Sequence, residues 1–466
     1  MNKLFISIFI ILFTSFSSFS QTNEKVIGNW SGKLDLPGTN LEIIFKISDD
    51  ENGKLNTKMD VPAQGAKDLP VSETTLTGDS LNLSVTMILG KFSGRILSDS
   101  IIEGNWKQSG ATFPLVLKKT GIVMEMKRPQ TPKGPFPYLS EEVEYINIQS
   151  GLKLAGTLTL PENAENCTAV ILISGSGAQD RDESIFGHKP FLVIADFLTR
   201  NGIAVLRVDD RGVGGSKGNT QDATSKDFAT DLQAGIELLK SRKEIDSKKI
   251  GLIGHSEGGL IAPMVAINSK DVAFVVLLAG PGINGEQIIY KQVELLNRAA
   301  GLTVEQVTQK LNVQKAIFDI LLNEKDTVNQ MERLQQVFSN GMYNTMNDNQ
   351  KKAIDIGLNA LKTPWFRFFL AYDPIPALDK LKCPVLALNG SKDLQVPPKE
   401  NLAAIEKALK EGGNLNYKTM ELENLNHLFQ TCETGAVSEY AQIEETISPT
   451  VLEILRDWIK SFGIKN

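Results

Sequence analysis

Gly254-His255-Ser256-Glu257-Gly258-Gly259 follows the apolar run Ile250-Gly251-Leu252-Ile253 and precedes a helical pattern that begins near Gly259-Leu260. A G-x-S-x-G pentapeptide between a buried strand and a helix makes so tight a turn that its serine is held in a strained backbone conformation. Glycines two residues to either side remove side chains that would collide with strand and helix. The hydroxyl then stands at the top of a sheet with a helix N-terminus behind it. The pentapeptide is common in isolation; its strand–turn–helix setting gives it weight.

A serine hydroxyl is a poor nucleophile at neutral pH and needs a base within hydrogen-bond reach. The chain has three histidines, His188, His255 and His427. His255 adjoins the serine, and on so sharp an elbow its ring points elsewhere, as a satisfied packing histidine. His188 lies in a loop before the helical run Pro190 to Arg200. His427 sits in the loop after the strand-like Tyr417 to Leu422 and ahead of the helix Val451 to Phe462, where it would overhang the nucleophile. His427 is the expected base. The acid that fixes its tautomer is expected to be Asp393, the one carboxylate of the loop Asn389 to Pro397 that follows the apolar strand Pro384 to Leu388. Acyl transfer also needs oxyanion donors. The backbone N–H of Glu257 is one; the loop Ser174-Gly175-Ser176-Gly177-Ala178, after Ile171-Leu172-Ile173, supplies the other through Ser176, with Gly177 the alternate.

The elements that would position these residues can be read from periodicity. Leu41 to Ile47 and Leu81 to Met87 alternate with period 2, with turn signals between, so residues 21–125 predict a small antiparallel β-barrel or sandwich. Gly28-Asn29-Trp30 recurs as Gly104-Asn105-Trp106, each tryptophan closing one end of that core. Residues 126–138, with Pro129, Pro132, Pro135 and Pro137, read as a stiff extended linker. From 139 to 466, a hairpin around Ser150-Gly151 precedes continuous apolar strands alternating with amphipathic helices: a mostly parallel sheet covered on both faces, fold class α/β. Residues from about 283 to 372 turn helical without strands and predict a cap. Its end, Trp365 to Tyr372, is dense in aromatics. Most of these rings are expected to pack the cap, with Trp365, Phe368, Phe369 and Tyr372 the candidates to line a substrate pocket.

Composition bounds the partners. Lys and Arg number 49 against 55 Asp and Glu, a net charge of −6, which argues against a nucleic-acid-binding surface. Met1 to Ser20, one lysine followed by the apolar run Leu4 to Phe13 and small residues, reads as a signal peptide, which predicts an exported, periplasmic or extracellular protein with no membrane span in its mature form. Cys167, Cys383 and Cys432 leave at least one thiol unpaired, and the pairing stays open. No cofactor is expected. Gly212 to Gly218 lacks the ending of a phosphate loop, and Asp180, Asp182 and Glu183 lack the paired histidines of a zinc site, so no metal is expected either. Arg211 suggests a substrate carboxylate clamp, but an ion pair with Asp210 or Asp182 is the preferred reading.

From Glu142 onward the chain resembles the α/β-hydrolase superfamily, whose triads share the order Ser256, Asp393, His427. Ser174 to Glu183, Asp209 to Ser216 and Gly254 to Gly259 look like carboxylesterases of the serine aminopeptidase-like branch, which often carry a β-rich N-terminal extension and a helical cap. Trp365 to Asp373-Pro374 resembles that branch too, whereas Ser174 stands where its members often have histidine. The resemblance implies hydrolysis of short acyl esters, with a small-molecule or glycan ester as substrate. An aminopeptidase, a glycan deacetylase and a non-catalytic binding protein are the alternatives.

Overall fold

The computed structural model describes residues 25–36, 39–50, 54–62, 66–108, 111–120, 127–346 and 348–463. Residues 1–20, expected as the signal peptide, lie outside them. Two compact units share the chain: residues up to Glu125 with Asn347–Gln350, and Met126–Met346 with Lys351–Asn466.

The first unit is a nine-stranded antiparallel sheet of β1 (Gly28–Leu36), β2 (Thr39–Asp49), β3 (Leu55–Val61), β4 (Ala66–Pro70), β5 (Glu73–Thr77), β6 (Ser80–Val85), β7 (Gly90–Ser98), β8 (Ile101–Gln108) and β9 (Ala111–Thr120). Its strand order is β4-β3-β2-β1-β9-β8-β7-β6-β5. The sheet curls until the Thr74 hydroxyl reaches Thr57 Oγ1 at 2.9 Å and the Val71 N–H reaches the Thr57 carbonyl at 3.1 Å. Alternation puts one face inside, and there Trp30 and Trp106 are both buried, with Phe45 6.1 Å from Phe92 and from Trp106. The run expected to continue through Met87 ends at Val85. The Thr86 N–H is taken by Ser72, and the chain turns through Leu89 at φ +52°.

In the second unit, β10 (Tyr138–Asn147) and β11 (Leu152–Pro161) form the hairpin. Behind it run six mutually parallel strands: β12 (Cys167–Ile173), β13 (Ala204–Val208), β14 (Ile245–His255), β15 (Val272–Leu278), β16 (Val385–Gly390) and β17 (Tyr417–Leu422). The sheet order is β10-β11-β13-β12-β14-β15-β16-β17. Alternate residues feed two cores. Val170, Leu172 and Ile253 meet Phe191 and Ile194 of the helix Pro190–Arg200 and Leu455 of the helix Pro449–Gly463. Ile171, Leu252 and Val275 face the helices Ser225–Lys240, Gly258–Ala266 and Pro398–Glu411. With apolar side chains on both faces these strands lose their period-2 pattern, which is why they read as continuous apolar runs.

Between β15 and β16 lie the helices Gly285–Ala299, Val304–Asn323, Thr327–Phe338, Asp348–Leu361 and Pro364–Ala371, followed by the short helix Ile375–Lys380. Side chains start the first three: Asn284 accepts the Gln287 N–H, Thr303 makes a capping box with Gln306, and Asp326 accepts from Val328 and Asn329. Phe318, Leu321, Leu334, Leu358 and Leu370 give this layer a core of its own.

From Lys127 the proline-rich segment is not a free spacer. Arg128 donates to the carbonyls of Phe186, Ala441 and Ile443, and the Gln130 side chain brackets Thr446 and Ile447, all within the second unit. The three cysteines are unpaired.

Candidate active site

The elbow is formed as its glycines require. Ser256 has φ +51°, held by its N–H to the Leu278 carbonyl (2.9 Å) and by the Gly259 N–H on its own carbonyl (2.8 Å). A β-carbon on Gly254 would lie 2.0 Å from the Gly258 carbonyl oxygen, and one on Gly258 would lie 2.2 Å from that of Ile173. Strand, turn and helix can pack this closely only without those side chains.

Asp393 and His427, from the loops after β16 and β17, meet directly. His427 Nδ1 lies 2.8 Å from Asp393 Oδ2, while Oδ1 accepts the N–H groups of Gln395 (2.8 Å) and Val396 (2.9 Å). The histidine loop is folded about Asn426, whose side chain accepts from the Leu428 and Gln430 N–H groups and donates to Gln430. His427 is tied to the elbow through His255, whose Nε2 lies 3.0 Å from the His427 carbonyl oxygen. The two rings are 4.9 Å apart. Among the described residues no hydrogen bond joins the Ser256 hydroxyl to His427.

Over the elbow lies the Ser174–Ala178 loop, close enough that a β-carbon on Gly175 would sit 3.3 Å from Ser256 Cβ. Asp210 pins it by accepting the Ser174 hydroxyl and the Gln179 N–H, each at 2.9 Å, and Glu183 accepts the Gly175 N–H at 2.7 Å. Burial pushes the Asp210 carboxyl up to about 7 against those two bonds. Among the described residues the N–H groups of Ser176, Gly177 and Glu257 make none of the backbone–backbone bonds of the turns and loops.

The Glu257 side chain is buried and accepts from the Ser225 hydroxyl (2.6 Å), the Trp365 indole (2.8 and 2.9 Å) and the Ser176 hydroxyl; burial pushes its carboxyl up. Trp365 thereby reaches the residue next to Ser256. It stacks on Phe369 at 5.5 Å, Phe368 stacks on Tyr372 at 5.3 Å, and Trp365, Phe369 and Tyr372 pack in one cluster with Leu260 and Val396.

The remaining histidines are satisfied. His188 is buried between the Thr446 hydroxyl (2.8 Å) and the Tyr440 carbonyl (3.0 Å), and burial lowers it to about 4. Burial also works against a charged His255, yet the Glu183 carboxylate, 2.9 Å from Nδ1, outweighs it and holds that imidazole above its ordinary value. Arg211 does not pair with Asp210 or Asp182. It makes two bonds to Asp231, at 2.7 and 2.9 Å, because the helix Ser225–Lys240 docks beside its loop. Asp182 pairs instead with Arg207 and Lys189. Sequence reasoning missed Glu183 and Asp210 as supports of the Ser174–Ala178 loop; Asp210 is 36 residues from Ser174, and no local pattern marks either carboxylate for this task. Among the described residues no group of three or more His, Cys, Asp or Glu is arranged to hold a metal, and no helix is long and apolar enough to cross a membrane.

Residues 189–428, about half of the chain, match the family described as "Serine aminopeptidase, S33". Esterase EstD of Thermotoga maritima is 27% identical over 309 residues, covering 66% of this chain and 65% of EstD. The uncharacterized protein YfhR of Escherichia coli is 29% identical over 129 residues, covering 27% of this chain and 41% of YfhR. The chain thus spans just under two thirds of EstD and less than half of YfhR. Among solved structures, the α/β hydrolase GrgF of Penicillium sp. sh18 aligns with a TM-score of 0.44 at 17% identity, covering 69% of this chain and 98% of that one. The Pyrococcus furiosus esterase PF2001 aligns with a TM-score of 0.43 at 18% identity, covering 72% and 97%.

Proposed function

Because the chain belongs to the serine aminopeptidase S33 family, we propose that it is a serine carboxylic ester hydrolase acting on short acyl esters. Ser256 attacks the ester carbonyl, His427 takes its proton and returns it to the leaving alcohol, and Asp393 holds His427 in the tautomer that can do so. The oxyanion is received by the N–H of Glu257 with that of Ser176 or Gly177. Water then releases the acyl group by the same route in reverse. The observation that carries this reading is the 2.8 Å bond between His427 and Asp393, two loops away from a serine at φ +51°. The likeness to EstD, named an esterase, supports the ester as substrate. Ser256→Ala is expected to abolish turnover of p-nitrophenyl acetate while the far-ultraviolet circular dichroism stays that of the parent; full activity in that variant would overturn the nucleophile assignment.

A second reading, an aminopeptidase on the same triad, is favoured by the description of the matched family as a serine aminopeptidase. Turnover of aminoacyl anilides above that of acyl esters would select it. Export belongs to the proposal as well, and N-terminal sequencing of the mature protein tests it, with Gln21 the expected first residue.

A further inference from the structure

Two imidazole–carboxylate pairs lie at this end of the sheet, and the reading above uses only His427–Asp393. The other, His255–Glu183, is also buried, and its bonds tie together the segment after β12, the elbow and the loop after β17. Glu183 Oε1 accepts the Gly175 N–H of the oxyanion loop at 2.7 Å and faces His255 Nδ1 at 2.9 Å. His255 Nε2 lies 3.0 Å from the His427 carbonyl. A carbonyl oxygen only accepts, so Nε2 carries a proton and donates it there. The ring making these contacts is one peptide bond from Ser256. By occupying the Gly175 N–H, Glu183 fixes the peptide immediately before Ser176.

We propose that Glu183 and His255 form a positioning pair that sets the oxyanion loop and the backbone of His427 against Ser256, so that nucleophile, base and oxyanion donors keep one geometry through turnover. This rests on the reading of Ser256 and His427 given above. The pair touches no reacting atom. Its value is that catalytic loops are mobile unless held, and a displacement of about 1 Å costs on the order of 100-fold in rate. A histidine present only to fill space would not need a proton on Nε2 aimed at the backbone of the base, nor a carboxylate shared with the oxyanion loop.

The test is steady-state hydrolysis of p-nitrophenyl acetate by the full chain carrying Glu183→Gln, His255→Phe, His255→Gln or Glu183→Gln with His255→Phe. Glu183→Gln and His255→Phe should each lower kcat by roughly 10- to 100-fold with KM within about 2-fold. The double variant should be no slower than the worse single, because one unit has been broken twice. His255→Gln, whose amide can still donate to the His427 carbonyl, should recover part of the loss. Unchanged kcat, a change in KM alone, multiplying losses in the double variant, or a glutamine variant as slow as phenylalanine would each overturn the proposal. Should His255→Phe not fold, the near-isosteric Glu183→Gln decides alone, and kcat within about 2-fold of the parent defeats it. Ser256→Ala assayed in parallel separates the two readings. If it keeps turnover, the nucleophile assignment fails; if it is inactive beside pair variants at full kcat, only the positioning proposal fails.

Discussion

Asp393 takes three N–H groups on one carboxylate, two from its own loop and one from His427, so its orientation is settled before the histidine arrives. Asp393→Asn keeps the shape and gives Nδ1 a group that can present a donor, which selects the wrong tautomer. We expect kcat to fall by about 10⁴-fold, as at other such triads, while the thermal midpoint barely moves. A kinetic loss matched by a large drop in that midpoint would mean that Asp393 is chiefly structural. Ser256, Asp393 and His427 could be singled out as candidates because each falls in a loop that directly follows a strand-like segment. Glu183 could not, because its partner His255 lies 72 residues away and nothing local marks it. Arg211 was legible as half of an ion pair but not for its partner: choosing Asp231 over Asp210 requires knowing where a helix docks.

Strands and helices were largely readable, since their signals are periodic and local; β13 and the helix Pro190–Arg200 begin and end where the pattern does. The joints between elements were not. His188 fastens the loop before that helix to Tyr440 and Thr446, more than 250 residues away. Its burial has a pH consequence with a definite sign. In the unfolded chain His188 takes a proton near its ordinary 6.5, whereas in the folded chain it resists until about 4. The unfolded state therefore binds more protons over that interval, and stability present above pH 6.5 is lost as pH falls toward 4. The shift corresponds to on the order of 3 kcal/mol. Urea unfolding of the parent and of His188→Gln at pH 7, 5.5 and 4.5 should give curves whose difference shrinks with acidification. A difference independent of pH would refute this account, because other titrating groups contribute equally to both proteins.

At the scale of the whole molecule, residues 174 to 427 contain the proposed triad, the oxyanion donors and the His255–Glu183 pair, while the first unit has a core of its own around Trp30, Phe45 and Trp106. Deleting residues 21–125 is expected to leave kcat for p-nitrophenyl acetate unchanged. If the first unit directs the enzyme to glycans, acetate release from acetylated xylan should drop in the same variant; equal losses on both substrates would reject that division of labour. By itself the sequence determined the two-part architecture, the parallel sheet with its helical insertion, and a candidate serine, acid and histidine in loops at strand ends, because strand alternation, helix periodicity and glycine-bearing turns are properties of neighbouring residues. The tertiary structure alone decided that Trp365 reaches Glu257, that the proline-rich segment docks through Arg128 and Gln130, and that Glu183 holds both the Ser174–Ala178 loop and His255. These contacts join residues from 8 to more than 300 positions apart. Such pairings arise from how finished elements pack, and a one-dimensional pattern carries no term for that.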